Sequence, residues 1–379
     1  MKLIKFNFPY ITNTESVHLK KTIKNKHFDS NGFYSSKCKF MIAKLLKSPN
    51  VLLTSSCTGA LEIACLSLNL NENDEVIIPS YTFVSAADVF LKNKVKIKFC
   101  DIDDKFVMDL NDLKSKITSK TKAIVVVHYN GNSVDFDKLK KIIKKKNIHI
   151  IEDAAQAIGA KFKKNYLGSL GDFGCFSFHN TKNIHCGFGG ALIVNNQKLL
   201  KKALSIWNRG TNKNDFLKNK TSKYTWITKG ASVQLSEMNS SFLYSQLKFL
   251  KKNLLLRNNF CLRYAKKLEN NSDYFEIPKF NLFNKSNNHI FYLILKNKNI
   301  RPKLMIYLKK YKIETTSHYE PLHKSIAAKK FIKNNVALTN TEDLSKKIII
   351  LPLHHAITNK DIDFICKKIN FFFKNKFIF

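Results

Sequence analysis

The chain has 379 residues, of which 44% are hydrophobic, and 65 Lys and Arg outnumber 28 Asp and Glu. That length predicts one large domain and a smaller one, because a single core rarely grows to this size. The formal charge of +37 suits a nucleic-acid or membrane partner, but the excess lies along the whole length. We therefore interpret it mainly as solvated surface, with no nucleic-acid partner and no stable membrane insertion.

The cysteines and the apolar runs restrict the class of protein further. The eight cysteines form no Cys-x-x-Cys pair and no zinc-like spacing, so the sequence predicts no metal site. They are interpreted as reduced thiols of a cytoplasmic protein. No apolar run approaches the roughly 20 residues that span a bilayer. The N-terminal MKLIKFNFPY lacks an apolar stretch long enough for a signal peptide.

Between about residues 50 and 195, short apolar β-branched runs alternate with helical patterns. Such near-continuous apolar strands, separated by helices, predict a mostly parallel sheet that lies between helices. A lysine-rich stretch is interpreted as the outer face of an amphipathic helix, with Leu139, Ile142 and Ile143 on its inner face. The predicted strands are EVIIP (75–79), KIKFCDID (96–103), AIVVVH (123–128), HIIEDA (149–154) and FGCFSF (173–178), and the lysines are Lys140, Lys141, Lys144, Lys145 and Lys146.

Beyond about residue 250 the pattern changes to long helices and a few short strands. Two of these strands are HIFYLIL (289–295) and IIILPL (348–353). The sequence therefore predicts a large domain over residues 1–250 and a smaller C-terminal α/β domain over residues 251–379.

Three separate stretches contain candidate chemical groups. Small polar residues of SSCTGALEIA (55–64) precede a helical pattern, where free backbone N–H groups hold a phosphate or simply cap the helix. Asp153 closes a buried strand, where an acid either caps the next helix or faces a cation. Lys182 follows a strand too aromatic to be exposed, and a partly buried lysine becomes a nucleophile because burial depresses its pKa.

Together these groups predict a pyridoxal phosphate site. Its lysine binds the cofactor aldehyde as a Schiff base, and its carboxylate keeps the ring nitrogen protonated. A hydroxyl-rich helix start holds the phosphate, and an aromatic side chain covers the ring. Their order along the chain is SCTGAL, PSYTFVSA, EDAAQA, SFHNTKN and then a Gly-x-Gly-Gly turn.

In these motifs the sequence resembles the DegT/StrS sugar-nucleotide aminotransferases over essentially its whole length. The resemblance implies the aspartate-aminotransferase fold, which is fold type I of the pyridoxal phosphate enzymes. KYTW and HYEPLH lie outside the shared cofactor core, and with them the chain is most similar to the dTDP-4-amino-4,6-dideoxygalactose transaminases. The turn after the lysine usually contains an acid in this group, whereas this chain has Phe188.

The resemblance also implies roles for individual residues. Lys182 is expected to bind the cofactor covalently and to move the proton between the cofactor carbon and C4 of the sugar. The sites are expected to lie at a homodimer interface and to be shared between subunits, with Ser232 of one chain completing the phosphate shell of the other. The implied cofactor residues are Cys57, Thr58, Phe83, Asp153, Gln156, Ser177, Lys182 and Ser232, and the implied substrate residues are Tyr224, Trp226, His318, Tyr319 and His323.

The activity that follows is transfer of an amino group from L-glutamate to C4 of dTDP-4-dehydro-6-deoxyglucose. The product, dTDP-4-amino-4,6-dideoxygalactose, is expected to serve surface-polysaccharide synthesis of the O-antigen or enterobacterial common antigen type. Two alternatives stay open. One is an aminotransferase for a 3-keto sugar or for a UDP- or GDP-linked 4-keto sugar, and the other is a non-catalytic basic binding protein on a relic aminotransferase fold.

Overall fold

The computed structural model describes residues 2–278, 286–332 and 336–375. Most of the chain up to residue 250 surrounds a seven-stranded sheet with the strand order β1-β9-β8-β5-β4-β2-β3. Six of its strands run in the same direction, and β9 runs antiparallel to both of its neighbours, β1 and β8. The strands are β1 (Val51–Thr54), β2 (Glu75–Pro79), β3 (Lys96–Cys100), β4 (Thr121–Val127), β5 (His149–Asp153), β8 (Phe173–Ser177) and β9 (Gly190–Val194), and β6 (Lys161–Phe162) and β7 (Asn165–Tyr166) form a separate two-stranded sheet.

Helices cover both faces of the large sheet, as the parallel strands require. One face packs against α2, α5, α6 and α9, and the other against α3, α4 and α7. The helices of this part are α1 (Glu15–Asn25), α2 (Phe33–Leu46), α3 (Cys57–Ser67), α4 (Ser85–Lys92), α5 (Leu110–Lys116), α6 (Phe136–Ile142), α7 (Gln197–Trp207), α8 (Lys213–Leu217) and α9 (Glu237–Lys248), with a 3-10 turn at Tyr129–Gly131.

Polar side chains determine where several of these helices begin. Ser56 accepts a hydrogen bond from the backbone N–H of Gly59 at 3.1 Å and caps α3. Asp109 and Asp135 cap α5 and α6 in the same way. Each cap satisfies an N–H group that has no partner within its helix, so the helix starts that follow the strands are local properties of the sequence.

A second, three-stranded antiparallel sheet occupies the C-terminal part, in the order β10-β11-β12. Its core includes Ile4, which forms a parallel bridge with Ile313, so the N-terminal segment packs against this part as well. The division at residue 250 stays a prediction. The elements are α10 (Leu250–Leu268), β10 (Phe275–Glu276), β11 (Phe291–Leu295), α11 (Ile300–Lys310), α12 (Thr339–Lys347), β12 (Ile348–Leu351) and α13 (Asn359–Lys374), with 3-10 turns at Glu269–Asn271 and Leu322–Lys324 and a π turn at Ala328–Ile332.

The predicted fold class is confirmed, with local differences. The strands β3, β11 and β12 are shorter than the predicted runs 96–103, 289–295 and 348–353. The lysine-rich helix α6 ends at Ile142, so Lys144 and Lys146 lie in the turn that follows it and are exposed. The antiparallel strand β9 has no counterpart in the prediction, because its apolar run resembles that of a parallel strand. Among the helices of the described ranges, none is both long and apolar enough to cross a bilayer.

Candidate active site

A cavity of about 570 Å³ opens where the carboxyl ends of β1, β4, β5 and β8 meet the C-terminal part of the chain. Parallel strands place their carboxyl ends at one edge, where sites of α/β sheets form. Seven of the eight predicted cofactor residues line this cavity, and two of the five predicted substrate residues do so. These nine are Cys57, Thr58, Phe83, Asp153, Gln156, Ser177, Lys182, His318 and Tyr319.

Lys182 lies at the tip of the hairpin that joins β8 to β9. Backbone bonds from Phe178 to Gly189, 2.7 Å, and from Lys182 to His179, 2.9 Å, close this loop. The side chain is half-buried, and burial lowers the pKa of its amine, while the nearby Asp153 and Cys57 act in the opposite direction. A lowered pKa increases the neutral fraction of the amine, which is its nucleophilic form.

Asp153 ends β5 and is 7% exposed. Its Oδ1 accepts the N–H of Ala155 at 3.1 Å and lies 4.0 Å from Sγ of Cys57. Burial raises the pKa of Asp153, and the charge of Lys182 opposes this shift. Its Oδ2 has no hydrogen-bond partner among the described residues, so an acceptor is left at the cavity for a protonated ring nitrogen.

The start of α3 forms one wall of the cavity. The N–H groups of Cys57 and Thr58 belong to the first turn and have no acceptor within the helix, and the helix dipole favours an anion here. Gly190 packs against the backbone of this turn, since a Cβ there would lie 2.4 Å from the carbonyl carbon of Ser56. Thr58 Oγ1 lies 2.8 Å from Oγ of Ser85, which also lines the cavity. Ser85 is not among the predicted site residues.

Aromatic side chains form another part of the cavity wall. Phe83 is 54% exposed, and its ring centroid lies 6.2 Å from that of Tyr319. The Tyr319 hydroxyl accepts a hydrogen bond from Nε2 of Gln156 at 3.1 Å. Gln156 is one of the predicted cofactor residues, and both ends of its amide are engaged within the chain, because Oε1 also accepts the N–H of Asn130.

Four predicted residues lie away from the cavity. Tyr224 and Trp226 are 54% and 76% exposed, and Ser232 accepts a hydrogen bond from Nε of Arg209 at 3.4 Å. His323 is buried, with Nδ1 2.6 Å from Oγ of Ser80 and Nε2 3.2 Å from Oε1 of Glu342. In one chain, therefore, Ser232, Tyr224 and Trp226 do not reach the cavity, and His323 is engaged within the protein.

Two further residues line the cavity, Phe188 and His289, and neither is among the predicted site residues. Phe188 is 68% exposed at the rim, and its ring centroid lies 5.0 Å from that of His179 in an edge-to-face contact. His289 precedes β11 and lines the cavity from the C-terminal side. It lies more than a hundred residues from Lys182 in the sequence, so only the folded chain brings the two together.

The residues present fit pyridoxal phosphate. The cavity combines an amine whose pKa burial lowers, a carboxylate with an open oxygen, free helix N–H groups, and the hydroxyls of Thr58 and Ser177. The amine matches the aldehyde of the cofactor and the carboxylate matches its ring nitrogen, while the N–H groups and the hydroxyls match its phosphate. Within the described ranges, no three His, Cys, Asp or Glu side chains are grouped as metal ligands.

Comparison with known proteins agrees with this geometry. The model of the DegT/DnrJ/EryC1/StrS aminotransferase family matches residues 9–370. GDP-perosamine synthase of Escherichia coli O157:H7 is 26% identical over 99% of this chain and 100% of its own. UDP-4-amino-4,6-dideoxy-N-acetyl-beta-L-altrosamine transaminase of Campylobacter jejuni is 29% identical over 82% of each chain. Among solved structures, the PLP form of the putative sugar aminotransferase Spr1654 from Streptococcus pneumoniae superposes with a TM-score of 0.89, at 23% identity over 99% of both chains.

Proposed function

The chain belongs to the DegT/DnrJ/EryC1/StrS aminotransferase family, whose members use pyridoxal phosphate, and on this premise we propose that it aminates a nucleotide-linked 4-keto-6-deoxy sugar at C4 with L-glutamate as the donor. The observation that carries the proposal is the meeting of Lys182, Asp153 and the start of α3 at one cavity. A relic fold that only bound anions would not need a half-buried amine and a buried carboxyl group at the same cavity.

When bound, pyridoxal phosphate supplies an aldehyde that takes up the amino group and a ring that withdraws electrons from the reacting carbon. The chain supplies the other requirements. Nζ of Lys182 accepts and returns a proton, because burial lowers its pKa and keeps part of the amine neutral. Asp153 holds a positive ring nitrogen through charge, and the first turn of α3 binds the phosphate through N–H groups.

The same amine serves both half-reactions, so donor and acceptor bind in turn to one site. Glutamate leaves as its keto acid before the keto sugar enters, which predicts ping-pong kinetics. In the described part of the chain, Lys182 is the one Lys or Arg side chain that lines the cavity. Its amine is already needed for proton transfer. The diphosphate of the sugar nucleotide therefore requires cations from outside this cavity wall.

Our first candidate for the acceptor is dTDP-4-dehydro-6-deoxyglucose, supported by the motifs KYTW and HYEPLH. The second is a GDP- or UDP-linked keto sugar, favoured by the names of the two relatives above. We would incubate the purified enzyme with glutamate and a panel of dTDP-, UDP- and GDP-linked keto sugars. Mass spectrometry would identify the aminated product, and NMR would determine the position and configuration of the new amine.

Lys182→Ala tests the assignment of the amine. We expect loss of the absorbance of covalently bound cofactor and of nearly all amination, because no other described amine lines the cavity. Lys92→Ala is the matched control, since Lys92 is exposed and pairs only with Asp88 on α4. A Lys182→Ala enzyme that kept both the absorbance and turnover would exclude the proposal.

A further inference from the structure

His289 is a buried histidine of the cavity wall that the chemistry above does not use. It is 7% exposed and lines the cavity together with Lys182. Its Nδ1 lies 2.8 Å from Oδ1 of Asn183, the residue that follows Lys182. Its Nε2 has no hydrogen-bond partner in the described part of the chain, and it is not among the fully enclosed polar atoms. Nε2 therefore faces the cavity.

The contacts of Asn183 determine which ring nitrogen of His289 carries the proton. Nδ2 of Asn183 donates to the carbonyl oxygen of Asn287 at 3.1 Å, so the amide oxygen must face His289. The opposite orientation would place two oxygens against each other. Because an amide oxygen only accepts hydrogen bonds, Nδ1 of His289 is the donor. In the neutral ring, Nε2 is then an acceptor with a free lone pair.

A buried cation behind the histidine maintains this neutral form. Arg257 donates to the backbone carbonyls of Asn288, His289 and Leu353, and it has no carboxylate partner among the described residues. Burial lowers the pKa of His289 well below its usual value, and the charges of Lys182 and Arg257 lower it further. A proton added to Nε2 would meet these two positive charges.

From this geometry we propose that His289 binds the substrate, with Nε2 accepting a hydrogen bond from a hydroxyl group of the sugar next to the reacting carbon, and that Asn183 is the residue that positions it. An acceptor of fixed tautomer cannot bind a phosphate or carboxylate oxygen, because it has no proton to offer them. It selects hydrogen-bond donors. This inference rests on the proposed function in its choice of ligand, whereas the tautomer is a property of the chain alone.

The tautomer can be measured in the cofactor-free protein. With ¹⁵N-labelled histidine, and with His289→Asn used to assign the signal, we expect Nδ1 to be protonated and Nε2 to be unprotonated at neutral pH. Asn183→Asp places a carboxylate beside Nδ1, which favours the imidazolium, so Nε2 should become protonated at a higher pH in that variant than in the wild-type chain. An Nε2–H tautomer in the wild-type chain, or no response to Asn183→Asp, would overturn the proposal without reference to activity.

Two substitutions of His289 test the roles of its two ring nitrogens separately by enzyme kinetics. His289→Asn keeps a donor near Nδ1 and removes Nε2, while the longer His289→Gln brings an amide oxygen to the position of Nε2. We expect His289→Asn to raise KM for the keto sugar about tenfold, the effect of one lost hydrogen bond, with a smaller change in kcat. His289→Gln should recover most of the affinity. His149→Asn is the control, because His149 begins β5 whereas the cavity lies at the end of that strand, at Asp153.

The half-reactions distinguish the possible ligands. Conversion of the enzyme by glutamate alone should stay at the wild-type rate in His289→Asn. If that step slows and the KM for sugar does not change, the donor ammonium is the ligand and our assignment is wrong. Equal losses in the Asn and Gln variants would also contradict it. If the wild-type enzyme aminates no keto sugar, the proposed function fails, while the NMR measurement still tests His289.

Discussion

At the scale of single residues, the proposed chemistry rests on Lys182 and Asp153 and on how burial affects them. The same burial shifts their pKa values in opposite directions, lowering that of the amine and raising that of the acid. Each shift favours the neutral form, and each group limits the shift of the other through its charge. A cofactor whose ring nitrogen carries a proton would return Asp153 to its anionic form by the same electrostatic argument.

Asp153→Asn tests this pairing. We expect affinity for pyridoxal phosphate to fall about tenfold to a hundredfold, because a hydrogen bond between charged groups is replaced by a neutral one. Fluorescence titration of the cofactor-free protein would measure it. Asp137→Asn is the control, since Asp137 is exposed and pairs with Lys163 on the surface. Unchanged affinity in Asp153→Asn would mean that the carboxylate serves only the fold.

At the scale of elements, one buried carboxylate stabilises the loop that precedes β8. Glu152 accepts the N–H groups of Gly168, Leu170 and Gly171 at 2.6 to 2.7 Å and lies 2.9 Å from Nε2 of His128. It is fully buried. The loop is therefore held against β5, beside the strand end that presents Asp153.

Glu152→Gln should reduce the free energy of unfolding by about 2–4 kcal/mol, because the amide NH₂ group would face N–H donors that then lose their acceptor. Urea unfolding monitored by circular dichroism would measure the change. The exposed Glu269→Gln offers a comparison with the same chemistry and no buried partner. Equal stabilities of the two variants would contradict this role.

Glu342 on α12 gives a prediction about pH. Hydrogen bonds from Lys324 and His323 lower the pKa of this carboxyl from its ordinary 4.5 to about 2. Since the folded pKa lies below the unfolded one, its contribution to stability is fully present above about pH 5 and is lost as the pH falls towards 2. Glu342→Gln should destabilise the protein at pH 7 and converge with the wild type at low pH. Unfolding curves at pH 7 and pH 3 that differ by the same amount would refute this assignment.

At the scale of the whole molecule, the exposed residues of the segment 209–232 suggest how two chains assemble. Tyr224 and Trp226 are large and solvent-exposed. Lys223 adjoins Tyr224 in sequence, and Thr211, two residues after Arg209, forms a bridge with Trp226. We propose a homodimer in which this segment of one chain covers the cavity of the other, with Ser232 near the phosphate. Such an arrangement would supply the cations that the diphosphate requires.

Complementation between two inactive chains tests the shared site. A Lys182→Ala chain is mixed with a chain in which Tyr224 and Trp226 are both changed to Ala, after partial unfolding and reassembly. In a mixed dimer one site contains an intact Lys182 and an intact partner segment, so roughly a quarter of wild-type activity should return. No recovery in dimers verified by light scattering would show that each chain completes its own site.

The sequence by itself determined several strands of the large sheet, and it predicted the candidate site groups that follow them. EVIIP forms β2 with the predicted bounds, and HIIED forms β5 with Asp153 at its end, because periodicity, caps and strand composition act over a few neighbouring residues. Lys182 is predicted to be the cofactor-binding amine from the order of short motifs. The reversed direction of β9 escaped prediction, since the side-chain pattern of a buried strand does not record which way its neighbours run.

Only the tertiary structure decided which distant residues meet. It brings His289 beside Lys182 through Asn183, places Ser85 against Thr58, and engages His323 with Ser80 and Glu342 instead of the cavity. These contacts join residues 19 to 243 positions apart. Their formation depends on how helices and sheets pack in three dimensions, which local sequence patterns do not specify.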